Sequence, residues 1–199
     1  MTVTTNPPGL RERKKAATRQ ALHEAAVRLA AEHGVENVTV EAIADAVNVS
    51  RRTFSNYFSG KEQALLHTDY VRMARLVELV RERPEGEPAW TALTRGIEAS
   101  VAENADEDPE WRALYRTLRR DPALVGELVA SYAVAERELA GVIAGRLPAE
   151  TGAALRGRLL AATFLVAVRV ANQVWLEHPD ESLIDLIRQA LATTAEPFT

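Results

Sequence analysis

Nine of the side chains between positions 39 and 61 stand out as able to hydrogen-bond an oxyanion or a base edge: Thr39, Ser50, Arg51, Arg52, Thr53, Ser55, Asn56, Tyr57 and Lys61. Arginine presents two N–H groups in the spacing of a guanine edge, and asparagine matches adenine in the same two-point way. Hydroxyls and lysine suit phosphate oxygens. The apolar residues between them decide which face outward. Val40, Ile43, Ala44 and Val47 recur at three- and four-residue steps, so one short helix buries that side, and Val49, Phe54 and Phe58 do the same for the next. Arg51, Arg52, Ser55 and Asn56 are left on the open side. Thr39 and Ser50 stand where helix caps are needed. Asn48 occupies the intervening turn, where a left-handed backbone is required and asparagine is tolerated. Lys61 opens the following helix, where free backbone N–H groups add to its charge. This is the plan of a helix-turn-helix, whose second helix enters the major groove while the first crosses the backbone. Arg51 and Arg52 alone fit an ordinary solvated face equally well; the turn, the caps and the spacing together favour DNA.

Positioning those residues is the task of the rest of the chain, and its charge is divided accordingly. Residues 1–61 hold nine Lys/Arg against six Asp/Glu, a net +3; residues 62–199 hold fifteen against twenty-two, a net −7, giving −4 in all. A basic end on an acidic chain is expected if only that end meets phosphate. There is no cysteine, which excludes disulfide scaffolds, thiolate zinc sites and cysteine nucleophiles. His23, His33, His67 and His178 are scattered, with no pair at metal-ligand spacing. No glycine-rich phosphate loop and no nucleophile elbow is present, so neither an enzyme nor a cofactor is expected. The start has no secretory pattern. The run from Leu159 to Leu176 is long enough to span a bilayer, but it contains Arg169, Asn172 and Gln173 and reads better as a buried core helix. The expected location is therefore the cytoplasm, with no membrane partner.

Apolar residues recur at helical steps almost throughout, and no stretch alternates with period two. The expected fold is all-α with nine helices. They lie over 10–33, 40–46, 51–57, about 60–82, and near 88–104, 109–119, 122–146, 149–177 and 181–194. Gly34 stops the first, and Ser59 with Glu62 forms a capping box that launches a long fourth helix. Asp108 and Asp121 precede prolines as caps of later helices. Residues 83–88, Arg-Pro-Glu-Gly-Glu-Pro, read as a linker.

The stretch from Thr39 through Ala-Ile-Ala-Asp-Ala-Val-Asn-Val-Ser-Arg-Arg-Thr-Phe-Ser-Asn-Tyr-Phe-Ser-Gly-Lys-Glu to Leu66 resembles the DNA-binding signature of the TetR family of repressors. With the preceding helix, the resemblance covers residues 10–66, about a third of the chain. Asn48 stands where the family usually has glycine, and Ser55 where an aromatic residue is common, which weakens or removes one expected contact with phosphate or thymine. The resemblance implies a homodimer. Its last two helices would pair with the partner's copies in a four-helix bundle, and helices four to seven would enclose an effector pocket. It divides the chain into an N-terminal arm and helix-turn-helix domain, 1–60, and an effector-binding and dimerisation domain, 61–199. Effector binding would move the fourth helix and alter the spacing of the two reading heads.

The second part reads consistently from its residues. The helix near 149–177 carries Leu159, Leu160, Phe164, Leu165, Val168 and Trp175, more apolar surface than one face needs, and the last helix is similar. Excess apolar surface on terminal helices suits subunit contact. Trp90, Ile97, Trp111, Tyr115, Tyr132 and Phe164 are candidates to line a cavity, although aromatic residues at helical spacing are more often plain core. Arg169 and Asn172 are the polar candidates. Arg169 fits an anchor for an anionic effector group, or a partner for a carboxylate in the chain or across a dimer. The expected protein is a repressor released from a palindromic operator by a small, mostly apolar effector. An architectural DNA binder would not need so long an apolar second part, and activation in place of repression fits the sequence as well.

Overall fold

The computed structural model of the chain describes residues 9–104, 109–148, 152–178 and 180–195, and of residues 109–112 the backbone alone. Among the described residues there are ten α-helices, two single turns of 3₁₀ helix and no strand. The helices are α1 (Leu10–His33), α2 (Val40–Ala46), α3 (Arg51–Ser55), α4 (Lys61–Leu65), α5 (His67–Arg81), α6 (Ala89–Glu103), α7 (Pro109–Arg120), α8 (Val125–Ala144), α9 (Ala153–Glu177) and α10 (Leu183–Ala195). The class is the expected one, and the count is ten because the expected fourth helix is two. It breaks at Leu66, whose backbone sits at φ −98°, ψ 17°. Three consecutive residues, Ala64, Leu65 and Leu66, are fully buried there, which no single helix face accomplishes. The carbonyl of Ala64 is also claimed from outside the helix, accepting from His23 Nδ1 at 2.8 Å. That bond assigns the proton of this ring to Nδ1.

The chain forms two units. The first comprises the described residues up to His67 together with Asp121–Glu127. Its core is built from Leu22 and Ala26 of α1, Ile43 and Ala44 of α2, and Phe54, Phe58, Leu65 and Leu66. The Phe54 and Phe58 rings lie 5.7 Å apart. Asp121 accepts from Ala123 N–H at 2.9 Å, the cap its position before proline predicts, although the turn it caps is 3₁₀ (Pro122–Leu124) before α8 begins. Asp108 lies outside the described residues. The capping box at Ser59 is displaced by one residue. Gly60 is the cap position of α4, and Gln63, not Glu62, reaches back to accept from Ser59 N–H at 2.8 Å.

The second unit comprises Thr68–Arg120 and the described residues from Leu128 onward. Leu76, Val80, Leu93, Leu139, Phe164 and Ile187 anchor a continuous apolar cluster drawn from α5, α6, α8, α9 and α10. Two glycines set how closely its helices approach. A Cβ on Gly157 of α9 would stand 2.9 Å from the Ala140 carbonyl oxygen of α8, and one on Gly96 would stand 2.5 Å from Val80 Cγ2. Arg146 closes the C-terminal end of α5, donating to the carbonyls of Val80 (2.8 Å), Arg83 (2.7 Å) and Pro84 (2.8 Å). It thereby satisfies acceptors that a helix end leaves open. Among the described residues α9 is the one helix long and apolar enough to cross a membrane. One side of it, through Phe164, Leu165 and Val168, lies in the core cluster. Its other side exposes Leu155, Leu159, Val166 and Val170, which are 43% to 64% exposed.

Candidate functional site

The first site is the pair of helices α2 and α3. Thr39 caps α2 by accepting from Ala42 N–H at 3.1 Å, and Ser50 caps α3 by accepting from Thr53 N–H at 3.0 Å. The Ser50 and Thr53 hydroxyls are themselves 2.9 Å apart. A capping hydroxyl spends a lone pair and keeps its O–H for another acceptor, which is what a phosphate offers. Asn48 sits in the left-handed region (φ 55°), alone among the described non-glycine residues. The reversal it makes lets Val49 N–H return to the Ala44 carbonyl at 2.9 Å. The crossing is fixed underneath by Ile43, Ala44 and Phe54, all buried.

On the other side Thr39, Ser50, Arg51, Arg52, Ser55 and Asn56 are exposed, with Thr53 and Tyr57 half-buried beside them. Eight of the nine predicted residues are thus gathered on and around α3 and the start of α2. Arg51 pairs with Glu41 at 2.9 Å, both side chains being more than half exposed. Such a pair is worth only about 0–1 kcal/mol and gives way readily to a stronger anion. Ser55 donates back to the Arg51 carbonyl at 3.1 Å, so its hydroxyl is drawn toward its own helix. Lys61 is placed differently from the rest. Its ammonium donates to the carbonyls of Val35 and Val38 at 2.9 Å and approaches that of Glu36 at 3.4 Å. All three of its donors therefore face backbone just before α2.

Behind α4 lies a small aromatic cluster that the sequence did not reveal. His67 meets His23 edge-on at 5.7 Å and Phe58 at 5.4 Å. Burial first, then the charges of His23 and Arg19, lower the His67 imidazole from the ordinary 6.5 to about 4.

The second site is a cavity of about 520 Å³ inside the second unit. Ile97, Tyr115, Tyr132 and Asn172, four of the eight residues predicted for such a pocket, line it. Trp90, Phe164 and Arg169 do not. Trp90 packs edge-on against Phe164 at 6.3 Å, and Phe164 is fully buried core. Arg169 is exposed on α9, outside the cavity. Trp111 lies in α7, where only the backbone is described.

The polar heart of the cavity comes from residues that the sequence reading passed over, Asp69 of α5 and Arg119 of α7. Asp69 Oδ1 accepts from the Tyr115 hydroxyl at 2.7 Å and pairs with Arg119 at 3.4 Å. Arg119 also donates to the hydroxyls of Tyr115 (3.2 Å) and Tyr132 (3.3 Å). Burial, and next the Asp69 charge, push the Tyr115 hydroxyl far up, so it stays protonated as the donor in this network. Arg119 follows Tyr115 by four positions and so shares its helix face; that spacing was the available signal.

A protein that exposes a helix-turn-helix with this set of polar side chains, and carries a separate helical unit with a drug-sized cavity, is of the class of DNA-binding regulators that sense small molecules. The comparisons with known proteins specify the class. Residues 22–67 match the family described as bacterial regulatory proteins, tetR family. Residues 87–199 match the family described as the MftR C-terminal domain. The HTH-type transcriptional regulator TcmR of Streptomyces glaucescens is 32% identical over 186 residues, 90% of this chain and 82% of that protein. The HTH-type transcriptional repressor AcnR of Corynebacterium efficiens is 34% identical over 109 residues, half of this chain. Among solved structures, the TetR-family repressor FadR of Thermus thermophilus in complex with lauroyl-CoA superposes with a TM-score of 0.55. It is 25% identical, with 89% of this chain and 93% of that one covered. A SmeT–triclosan complex shares the fold at 19% identity, with a TM-score of 0.56 and 89% and 90% coverage. The chain belongs to the TetR family and is a DNA-binding transcriptional regulator.

Proposed function

We propose that the protein is a homodimeric repressor that holds a palindromic operator through α3 and leaves it when a small molecule occupies the cavity beside Asp69 and Arg119. The observation that carries this reading is the exposed, capped α3 with Arg51, Arg52 and Asn56 on its open side. Arg51 and Asn56 read base edges, and Thr39, Ser50, Thr53 and Tyr57 contact phosphates. Arg52 and Ser55 stand at the margin of the groove. Lys61 braces the approach to α2 and contributes its charge to the field there. Residues 1–60 form the DNA-binding part and 61–199 the part that senses and dimerises, acting in the cytoplasm where operator DNA is. That FadR of Thermus thermophilus is a repressor with lauroyl-CoA bound supports repression under ligand control. An effector that prefers the DNA-free arrangement shifts the population off DNA with a coupling of only about 1–3 kcal/mol.

Dimerisation is assigned to α9 and α10. Leu155, Leu159, Val166 and Val170 recur at steps of four and seven, so they form one stripe along α9, and an exposed apolar stripe of that length is uncommon on a monomer. Light scattering tests it. The wild-type chain is expected at twice its 21.8 kDa mass, and the double variant Leu159→Asp, Val166→Asp at the monomer mass with weakened operator binding. A wild-type monomer would contradict the assignment.

A further inference from the structure

Building on the reading of Arg51 as a base reader, we propose that Glu41 of α2 is a specificity-determining residue. Its carboxylate steadies the Arg51 guanidinium on a guanine edge and keeps it off the phosphates. The first observation is the pair itself, in which Arg51 Nη1 stands 2.9 Å from Glu41 Oε1. It joins the first turn of α2 to the first residue of α3, so it is not the pair of neighbours three or four apart that supports a single helix. The backbone beneath both residues is fixed. Val49 N–H returns to the Ala44 carbonyl at 2.9 Å, and Ile43, Ala44 and Phe54 are buried below. The second observation is a contrast. Arg51 and Arg52 are adjacent and both exposed, yet among the described residues Arg52 has no carboxylate partner. The fold thus tells apart two arginines that the sequence presents alike.

The chemistry follows from what a guanidinium offers. Its N–H donors form a flat fork, and one meeting with Glu41 leaves enough of them for O6 and N7 of guanine. A base edge is neutral, so reading it does not require the pair to break. In the groove both side chains lose water, and an ion pair that is weak in solvent strengthens. Glu41 also acts on the competing partner of Arg51. It lies one turn into α2 beside Thr39, a phosphate contact in the proposed reading, and so sets a negative charge close to the backbone of any duplex. Alone, that charge would weaken binding to every sequence alike. Paired, it offsets the pull of phosphate on Arg51, whose remaining donors then favour guanine over other partners. An arginine without the carboxylate drops onto the nearest phosphate, which carries no sequence information.

Selection from random duplex DNA with the full chain tests the proposal, run on the wild type, Glu41→Gln, Arg51→Ala and the double variant. The recovered duplex, its single-base variants and a duplex of unrelated sequence are then titrated at several salt concentrations. Both side chains are more than half exposed, so all the variants should fold. Arg51→Ala is expected to relax preference at one guanine of each half-site. Glu41→Gln should relax the same position by about threefold or more, and the double variant no further than Arg51→Ala, because coupled residues do not add. Glu41→Gln should also bind the unrelated duplex more tightly and with a steeper salt dependence, the mark of a cation moved to phosphate. A purely structural role would weaken all duplexes together and leave base preference unchanged, which would overturn the proposal. Relaxation at a different position, additive with Arg51→Ala, would also overturn it, since Glu41 would then read a base by itself. The reading beneath is tested separately. An Arg51→Ala chain that keeps every preference removes Arg51 from base reading and this proposal with it, whereas relaxation in Arg51→Ala but not in Glu41→Gln overturns the proposal alone.

Discussion

In the proposed reading, Arg51 and Asn56 are the residues on which sequence preference turns. Both are exposed on or just beyond the five residues of α3, and the pair Arg51 makes with Glu41 is too solvated to keep it from a guanine edge. Replacing either with alanine should cost about 1–3 kcal/mol of discrimination at one base pair while leaving nonspecific binding nearly intact. Competition titrations with single-base operator variants measure this, and an unchanged preference would remove the residue from base reading. His67 makes a prediction of a different kind. Above pH 6.5 its ring is neutral in both folded and unfolded chains. As pH falls from 6.5 toward 4, the unfolded chain takes up a proton that the folded protein, with the ring held among His23, Arg19 and Phe58, does not. Stability should therefore be complete above pH 6.5 and decline between 6.5 and 4. Urea midpoints at pH 7.5 and 5 should diverge for the wild type and converge for His67→Gln; equal divergence in both would assign the effect to another group. Neither His23 nor His67 announced this role in the sequence. A lone histidine shows its partners only after folding brings together residues some forty positions apart, as the 2.8 Å bond from His23 to Ala64 does.

At the scale of elements, close helix approach dominates. Gly157 and Gly141 are both helical glycines, yet a methyl group meets the Ala140 carbonyl oxygen at 2.9 Å at the first and nothing within 4 Å at the second. Gly157→Ala should thus destabilise by about 1–3 kcal/mol through overpacking against backbone that does not yield. Gly141→Ala should stabilise by up to about 1 kcal/mol, because the helix gains propensity without a clash. Chemical denaturation of the two variants checks opposite signs, and destabilisation by both would contradict the distinction between them. The elements were legible where local chemistry decides them. Gly34 ends α1, Thr39 and Ser50 cap α2 and α3, and Asn48 takes the left-handed turn, all as the sequence predicts. The division of α4 from α5 at Leu66 was not legible, since no proline or glycine marks it. It follows from burying Ala64, Leu65 and Leu66 together, a tertiary demand. The capping box moved by one residue because glutamine at position 63 reaches Ser59 as well as glutamate at 62 would.

At the scale of the whole molecule, the sequence pattern divides its labour unevenly. The helix-turn-helix is written in contiguous residues, so its motif and exposed face can be read directly. The cavity is assembled from α5, α6, α7, α8, α9 and α10, and its polar centre joins Asp69 to Tyr115 and Tyr132, partners that no local spacing links. Aromatic residues at helical spacing pointed to Tyr115 and Tyr132 in the lining but also to Trp90 and Phe164, which pack on each other outside it, because core and cavity wall use the same side chains. Arg169 was singled out because a charge in an apolar helix calls for a partner, and it stands on the exposed side of α9. That open side is what makes a twofold assembly, and hence a twofold binding site, the expected state. Selection of bound sequences from random duplex DNA tests this most directly. A palindromic motif is expected with half-sites about one helical turn apart, roughly 34–36 Å, or a multiple of it, and with relaxed preference at one base pair of each half-site in Arg51→Ala. Recovery of no preferred sequence, or of a single unrepeated half-site, would contradict it.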